Sequence, residues 1–393
     1  MKRIFIVAIS LLFAFGSASA QTKSYKFTEK LYNKIPWRHE FVLPQVDGLN
    51  CYTAELHAHT VFSDGEITPE ERVKEAWIDG LDILAMTDHI ETRRHERDFL
   101  KFLKGYSPDK KGFEPINTRV SRGKHADERG IVSDLNFSTE LALKAAQNYP
   151  ELTIIKGVEI SREPVHIGHY CALFTTDNNA IYSTDDAQAI RNARAQGAII
   201  MHNHPGWRRS SLETHAFEDR VYSEGLIDGI EVMNNNEFYP KAIDRAINLG
   251  FFIASNTDIH GTIAEVYGDQ IRDFTMIFAN ELTEEAIREA LLAHRTVAYS
   301  YGTLAGEEKW LKPLFEACVD VEIVRTNKDS QVVRLVNKSS LPFVLKTKGG
   351  RESFLAPDSS ANFTIRDKGL TLTVENMWCG ADKKLSVTFM PQK

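Results

Sequence analysis

The 393-residue chain is 42% hydrophobic and 26% charged, with a formal net charge of −7. This is the balance of a soluble globular protein, long enough for one large domain or two of ordinary size. The acidic excess argues against a protein that grips nucleic-acid backbones through a basic face, while a metal site would still reverse the field locally for a small anionic substrate.

Residues 1–20 have the layout of a signal peptide. Lys2 and Arg3 precede an apolar core from Ile4 to Phe15, and Ala18-Ser19-Ala20 forms an A-x-A cleavage site. Its removal takes the net charge to about −9, and the expected product is periplasmic or secreted. No cysteine stands at the cleavage point to carry a lipid, and no later segment approaches the length of a membrane span. Residues 21–50, with Pro36 and Pro44, read as an extended arm.

From residue 51 short apolar runs alternate with helical patterns. YTAELHA reads as a strand, followed by a helix opened by Thr68-Pro69-Glu70-Glu71. Thr68 caps it, Pro69 fits the first turn and Glu71 completes a capping box. Val73, Ala76, Trp77 and Ile78 form its apolar face, and Gly80 stops it. LDILAMTDH is a buried strand. The cycle recurs with ELALKAAQNY and LTIIKGVEIS, with DAQAIRNARAQG and AIIMHNHP, with GLIDGIEVMNN, and with YPKAIDRAINLG and FFIASNTDIH. Strands separated by helices predict parallel β/α units, with chemistry at the carboxyl ends of the strands. The charge-rich stretch 91–133 interrupts this rhythm as a long insertion, read as a lid, a binding loop or a solvated excursion.

After residue 316 the pattern becomes short alternating strands: VDVEIVR, QVVRLVNKS, LPFVLKTK, ANFTIRD, LTLTVEN and LSVTFMP. They predict a small antiparallel β-sandwich over 317–393 with no catalytic constellation. Cys51, Cys171, Cys318 and Cys379 show no CxxC or staple spacing and are expected to be free, buried thiols.

Metal-ligand residue types gather at the predicted strand ends. The first strand ends in His57-x-His59, with Asp64 in the loop behind it. In a strand, residues two apart share a face, so the two imidazoles can grip one ion. Thr87-Asp88-His89 ends the second strand, and Glu159 lies in GVEIS. His169 opens the next apolar run, with His166 three residues earlier as its competitor. A later strand ends in His202-Asn203-His204-Pro205-Gly206, and the last in Asp258-Ile259-His260. Histidine and carboxylate without thiol suit Zn²⁺, Mn²⁺ or Fe²⁺. There are more candidate ligands than one ion can take. Asp88 also reads as a structural carboxylate capping a loop. His39, His95, His125, His215 and His294 fall outside the pattern.

HxH with SDG, TDH, GVE, a following His, HP and DxH occur in this order, and over residues 51–300 the chain resembles the PHP (polymerase and histidinol phosphatase) family. The resemblance implies a distorted (β/α)7 barrel over 51–316 and metal-dependent hydrolysis of phosphate esters by a metal-bridging hydroxide in a trinuclear site. It implies that His57, His59, Glu159 and Asp258 hold one ion. Glu159 would bridge to a second, held by His169 and His204, with His202 as the alternative. Asp64, His89 and His260 would hold a third.

His202 or His204 is the candidate proton donor, and Arg162 the candidate phosphate anchor, ahead of Arg208, Arg209, Lys124 and Arg129. The signal peptide, TDHIETR, ELALKAA, the insertion and the β domain make the chain similar to secreted bacterial organophosphate phosphodiesterases. The expected substrate is therefore a small phosphodiester, with a phosphomonoester second. The reading from another class is a secreted, non-catalytic metal- or glycan-binding protein.

Overall fold

The structure is a computed structural model in which residues 37–93, 134–161, 167–183 and 185–391 are described. The expected signal peptide, residues 21–36 of the arm and residues 94–133 of the insertion lie outside the described residues, as do Arg162 and His166.

Seven strands form the ring that positions the site: β1 (Asn50–Glu55), β2 (Ile83–Met86), β3 (Thr153–Ser161), β4 (His169–Leu173), β5 (Ile199–Asn203), β6 (Gly229–Asn234) and, past the two-residue β7 (Glu237–Phe238), β8 (Phe252–Asn256). β1, β2 and β3 are parallel, as are β5, β6 and β8. β4 departs from the expected parallel order and runs antiparallel to both β3 and β5. Only seven residues separate the end of β3 from the start of β4, too few for a crossover to a parallel strand, so the chain must turn back. Its first residue, His169, thereby lies at the same edge as the carboxyl ends of its neighbours.

β9 (Phe274–Ala279) lies antiparallel to β1, and β10 (Thr296–Ser300) and β11 (Thr303–Gly306) continue the sheet. Among the described residues no backbone ladder joins β8 to β9 or β10. Side-chain hydroxyls make the seam instead. Thr275 Oγ1 accepts from Ser255 N and donates to Ser255 O, both at 2.9 Å, and Thr296 Oγ1 accepts from Ile253 N at 3.1 Å. This substitution is one source of the distortion: the backbone groups are satisfied, but without regular strand spacing.

Helices cover the ring where the patterns place them, among them Pro69–Ile78, Phe137–Ala146, Asp186–Ala195 and Pro240–Leu249. Thr68 caps the first by accepting from Glu71 N at 3.3 Å, but this is the only half of the expected capping box that forms. The Glu71 carboxylate lies instead 3.8 Å from Lys74. Ile78 is exposed, against expectation, whereas buried Arg72 takes part in that helix's inner face.

The last strands are β12 (Val319–Asn327), β13 (Ser330–Asn337), β14 (Phe343–Thr347), β15 (Glu352–Leu355), β16 (Ser360–Arg366), β17 (Leu370–Gly380) and β18 (Lys383–Phe389). β15, in RESFLA, was not among the expected six. β12, β13 and β16 form one antiparallel sheet. β14, β15, β17 and β18 form another, which joins the ring sheet because β17 pairs in parallel with β11. Val333, Leu335, Phe363 and Ile365 from the smaller sheet share a core with Leu345, Leu372 and Leu385 from the larger one. Arg38–Lys393 thus form one compact unit. The four cysteines are unpaired; Cys171, Cys318 and Cys379 are buried and Cys51 is half-buried.

Candidate metal centre

The run after β1 is buried from Leu56 to Thr60 and is tied to the run after β8. Ala58 bridges to Ile259, Asp258 N donates to His57 O at 3.0 Å, and His59 N donates to Ile259 O at 3.1 Å. This pairing sets Asp258 and His260 beside the two histidines. His57 and His59 share a face, with their Nε2 atoms 3.1 Å apart.

Asp64 turns back toward them because the chain folds tightly at Gly65, whose N–H donates to Thr60 O at 3.0 Å. A Cβ on Gly65 would stand 2.8 Å from His59 C and Thr60 N, so only glycine fits. Asp88 holds the same loop by accepting from Thr60 N at 2.7 Å and Ser63 Oγ at 2.8 Å. It acts as the structural carboxylate that was one of its two readings.

Glu159, fully buried on β3, is the centre of the cluster. Its Oε1 lies 3.4 Å from His57 Nε2, 3.4 Å from His169 Nδ1 and 3.7 Å from His204 Nε2. Its Oε2 lies 3.5 Å from His59 Nε2 and 2.6 Å from His89 Nδ1. Asp258 Oδ1 stands 3.0 Å from His59 Nε2 and 3.3 Å from His57 Nε2. Asp64 Oδ1 stands 3.4 Å from His89 Nε2 and 3.2 Å from His260 Nε2. Two of these residues have left-handed backbone, His204 at φ +24° and Asp258 at φ +51°. Such strain in non-glycine residues concentrates where geometry serves function.

The nine side chains fall into four overlapping groups whose donor atoms lie within 4.8 Å of one another: His59, Asp64, His89 and His260; His57, His59 and Glu159; His57, His204 and Asp258; and Glu159, His169 and His204. The set fits divalent cations. Among the described residues, buried Glu159 Oε2 and Asp64 Oδ1 have no hydrogen-bond partner, despite their nearness to histidines, and a buried carboxylate oxygen left so is costly. The His57 and His59 Nε2 atoms also crowd one another at 3.1 Å, beside the Asp258 and Glu159 oxygens. A cation resolves both, and the nitrogen and oxygen donors suit Zn²⁺, Mn²⁺ or Fe²⁺.

The electrostatics agree. Burial alone would raise Glu159, but His89 and His57 outweigh it and hold the carboxyl well below its usual range. Burial would depress His89, yet Glu159 and Asp64 push it up to about 9. Burial, with His89 and His260 beside it, pushes His59 down to about 4.

Several supporting residues were not singled out in the sequence. Buried Glu231 on β6 accepts from His57 Nδ1 at 2.9 Å and His204 N at 2.7 Å, orienting two ligand candidates at once. A lone acid inside the apolar run GIEVM was its visible signal. Asn203 donates to Glu159 Oε1 at 2.8 Å. Buried Arg72 donates to His59 O at 3.0 Å and Gly261 O at 2.8 Å, clamping the two ligand-bearing loops together.

Of the two histidines on the β5 run, His204 joins the cluster and His202 does not. His202 lies among Tyr170, Tyr222 and Glu218, with Nδ1 2.5 Å from Tyr222 Oη. Strand alternation sends it away from Asn203 and Glu159. His169 joins the cluster, and its competitor His166 is outside the described residues, as are Arg162, Lys124 and Arg129. Arg208 stacks over Trp207, 4.2 Å from the ring centroid, and Arg209 donates to Glu218 at 2.8 Å.

The family model for the PHP domain matches residues 55–292. The chain belongs to the PHP family. A two-domain protein from Bacteroides vulgatus, described as containing a predicted PHP-like metal-dependent phosphoesterase, is 31% identical, with a TM-score of 0.78 over 90% of this chain and 98% of that one. A lesion-specific endonuclease from Pyrococcus furiosus aligns at 16% identity and a TM-score of 0.38, over 66% of this chain and 59% of that one. A comparison with curated protein sequences gives no match. The PHP chain described here therefore has the α/β fold of a metal-dependent phosphoesterase, with candidate metal groups at its centre. Among its described residues no helix is long and apolar enough to cross a membrane.

Proposed function

We propose that this PHP protein is an exported phosphodiesterase with a trinuclear centre. The carrying observation is the convergence on Glu159 of more ligand-type side chains than one ion can use. In this reading His57, His59 and Asp258 hold one ion with Glu159. Glu159 reaches a second with His169 and His204, and Asp64, His89 and His260 hold the third. Divalent ions there would bring a bound water's pKa toward neutrality and draw charge from the phosphoryl oxygens.

The protein's own groups prepare that chemistry. Glu231 fixes the His57 ring so that Nε2 faces the cluster. Trp207 packs beside two of the proposed ligands, 5.5 Å from the His169 ring and 5.4 Å from the His204 ring. Of the two proposed proton donors, His204 lies in the cluster, where its Nε2 would be taken up by a metal ion, and His202 is turned toward Tyr222. Arg162 remains the proposed phosphate anchor, and Arg162→Ala is expected to raise KM or cut turnover at least tenfold. Arg208 and Arg209 support a diester, since both guanidinium groups already have partners and a dianionic monoester calls for more cationic side chains. Export through residues 1–20, the division near residue 316 and a small-molecule rather than nucleic-acid substrate belong to the same proposal.

The test is hydrolysis of bis(p-nitrophenyl) phosphate beside p-nitrophenyl phosphate, after loading with Mn²⁺, Zn²⁺ or Fe²⁺. Diester turnover well above monoester turnover is expected. The reverse preference would make the protein a phosphomonoesterase, and metal binding without turnover on either would favour the non-catalytic reading.

A further inference from the structure

Beside the ligand cluster the surface opens into a cleft of about 780 Å³. Gly206, two residues past His204, lies at its inner end under the Tyr239 ring, packed so closely that a Cβ there would stand 2.4 Å from the ring. Arg209 lines both this cleft and the small space bounded by His169, His204 and Trp207, so the two adjoin. The outer wall comes from the far end of the chain, from Trp378 on β17 and Asp382 in the turn between β17 and β18.

That turn is fixed in place. Ala381 N donates to Asp244 Oδ1 at 3.0 Å, on the helix Pro240–Leu249. Trp378 meets Phe238 edge-on with centroids 5.2 Å apart, and its backbone pairs with Ala305 on β11. The C-terminal strands are thus built into a wall of the space next to the proposed metal centre.

The lining has a definite chemistry. Phe238, Tyr239 and Trp378 supply aromatic surface, one face of the Trp378 ring being covered by the Lys384 ammonium 2.7 Å from its centroid, and Ser210 and Ser211 supply hydroxyls. Glu237 and Asp382 are the acidic groups of the lining, and Lys241 and Arg209, the latter already paired with Glu218, are the basic ones, so both signs of charge are present. The volume is far more than a phosphoryl group fills and falls in the usual range of small-molecule sites, roughly 300–1,000 Å³. A purely apolar occupant would strip water from the serines and carboxylates without replacing it. A strongly charged one would meet groups of its own sign. A sugar ring matches both halves, with C–H faces for the aromatic side chains and hydroxyls for the carboxylates and serines.

We propose that this cleft binds a sugar ring carried by one alcohol substituent of the phosphate ester, and that Trp378 and Asp382 determine specificity for it. The proposal rests on the phosphoesterase reading for what lies at the ester's other end. It also gives the C-terminal strands a role that the barrel alone does not fill.

The test uses the full chain loaded with Mn²⁺ and three diesters: methyl, glucosyl and thymidine p-nitrophenyl phosphate. Trp378→Ala and Asp382→Ala are each expected to lower kcat/KM at least tenfold, through KM, on a sugar-bearing ester, and to stay within twofold of the parent on the methyl ester. The glucosyl and thymidine arms tell which ring is preferred. Asp382 is exposed, so its variant keeps the test sound if loss of Trp378 disturbs packing. Equal losses on all three esters, or none, would overturn the proposal. Calorimetric binding of the matching glucosyl and thymidine methylphosphonates separates the two readings. Binding that weakens tenfold in Asp382→Ala, with no ester hydrolysed by the parent, would keep the cleft and remove the phosphoesterase. No binding of either methylphosphonate by the parent would remove the cleft.

Discussion

Replacing Glu231 by Gln tests how the site is held without touching a proposed ligand. Glu231 is fully buried and takes four N–H groups. Oε1 accepts from His57 Nδ1 and Asn256 Nδ2, both at 2.9 Å, and Oε2 from His204 N at 2.7 Å and Asn234 Nδ2 at 2.9 Å. Glutamine keeps the shape but has one acceptor oxygen and one NH₂. If the NH₂ faces His204 N and Asn234, two buried N–H groups lose their acceptor, at about 1–3 kcal/mol each. If it faces His57, the imidazole can switch tautomer and accept at Nδ1. The proton then sits on Nε2, the atom that faces Asp258 and Glu159, and blocks it as a ligand. The second arrangement strands only Asn256, so it should prevail. Loss of a carboxylate that orients a metal-bound histidine lowers affinity roughly 10–100-fold, or about 1.4–2.7 kcal/mol. Metal content after dialysis against chelator-buffered Mn²⁺ gives the affinity, and circular dichroism confirms folding. A folded Glu231→Gln variant with affinity within twofold of the parent would refute the reasoning.

Three other outcomes are expected. Gly65→Ala drives a methyl into the His59–Thr60 backbone and should cost about 1–3 kcal/mol in urea denaturation, with turnover falling as Asp64 is displaced; an unchanged midpoint and rate would contradict the close approach. Arg72→Ala leaves Glu75, which Arg72 contacts at 2.6 Å, and two loop carbonyls without their cation. A loss of about 3–5 kcal/mol is expected, and a loss below 1 kcal/mol would show that the clamp does little. The third concerns pH. His89 is pushed above the ordinary histidine range, to about 9, so in metal-free protein its charged form adds stability fully below about pH 6.5, lost as pH rises through 9. Metal must displace that proton, so Mn²⁺ affinity should climb between pH 7 and 9, with proton release seen by calorimetry in buffers of different ionisation heat. A flat affinity over that range would remove His89 from the ligand set.

Much of this architecture was legible because period and punctuation agreed with the fold. The helices Asp186–Ala195 and Pro240–Leu249 lie where their apolar spacing and closing glycines put them, and the histidine-bearing motifs mark strand ends. Ring direction was less visible. β4 looks like any buried strand, and only the short interval after β3 signals that it runs backward. The hydroxyl seam of Thr275 and Thr296 depends on partners distant in sequence, as does the β11–β17 pairing that merges the C-terminal strands with the ring. At the site, residue type revealed the candidates that face inward together. What sets their orientation was harder to see, because Glu231 and Arg72 act through contacts between loops rather than through a local pattern. His202 and His204 show the limit of spacing alone: two residues apart, they part company because backbone strain at His204 turns its ring inward.

The most direct measurement joins metal content to chemistry. Chelator-stripped protein would be titrated with Mn²⁺, with bound ions per chain and bis(p-nitrophenyl) phosphate turnover followed together and Asp258→Asn run in parallel. The account predicts turnover that rises as occupancy approaches about three ions per chain and is lost in Asp258→Asn. Full turnover in stripped protein, or none with the centre loaded, would contradict it.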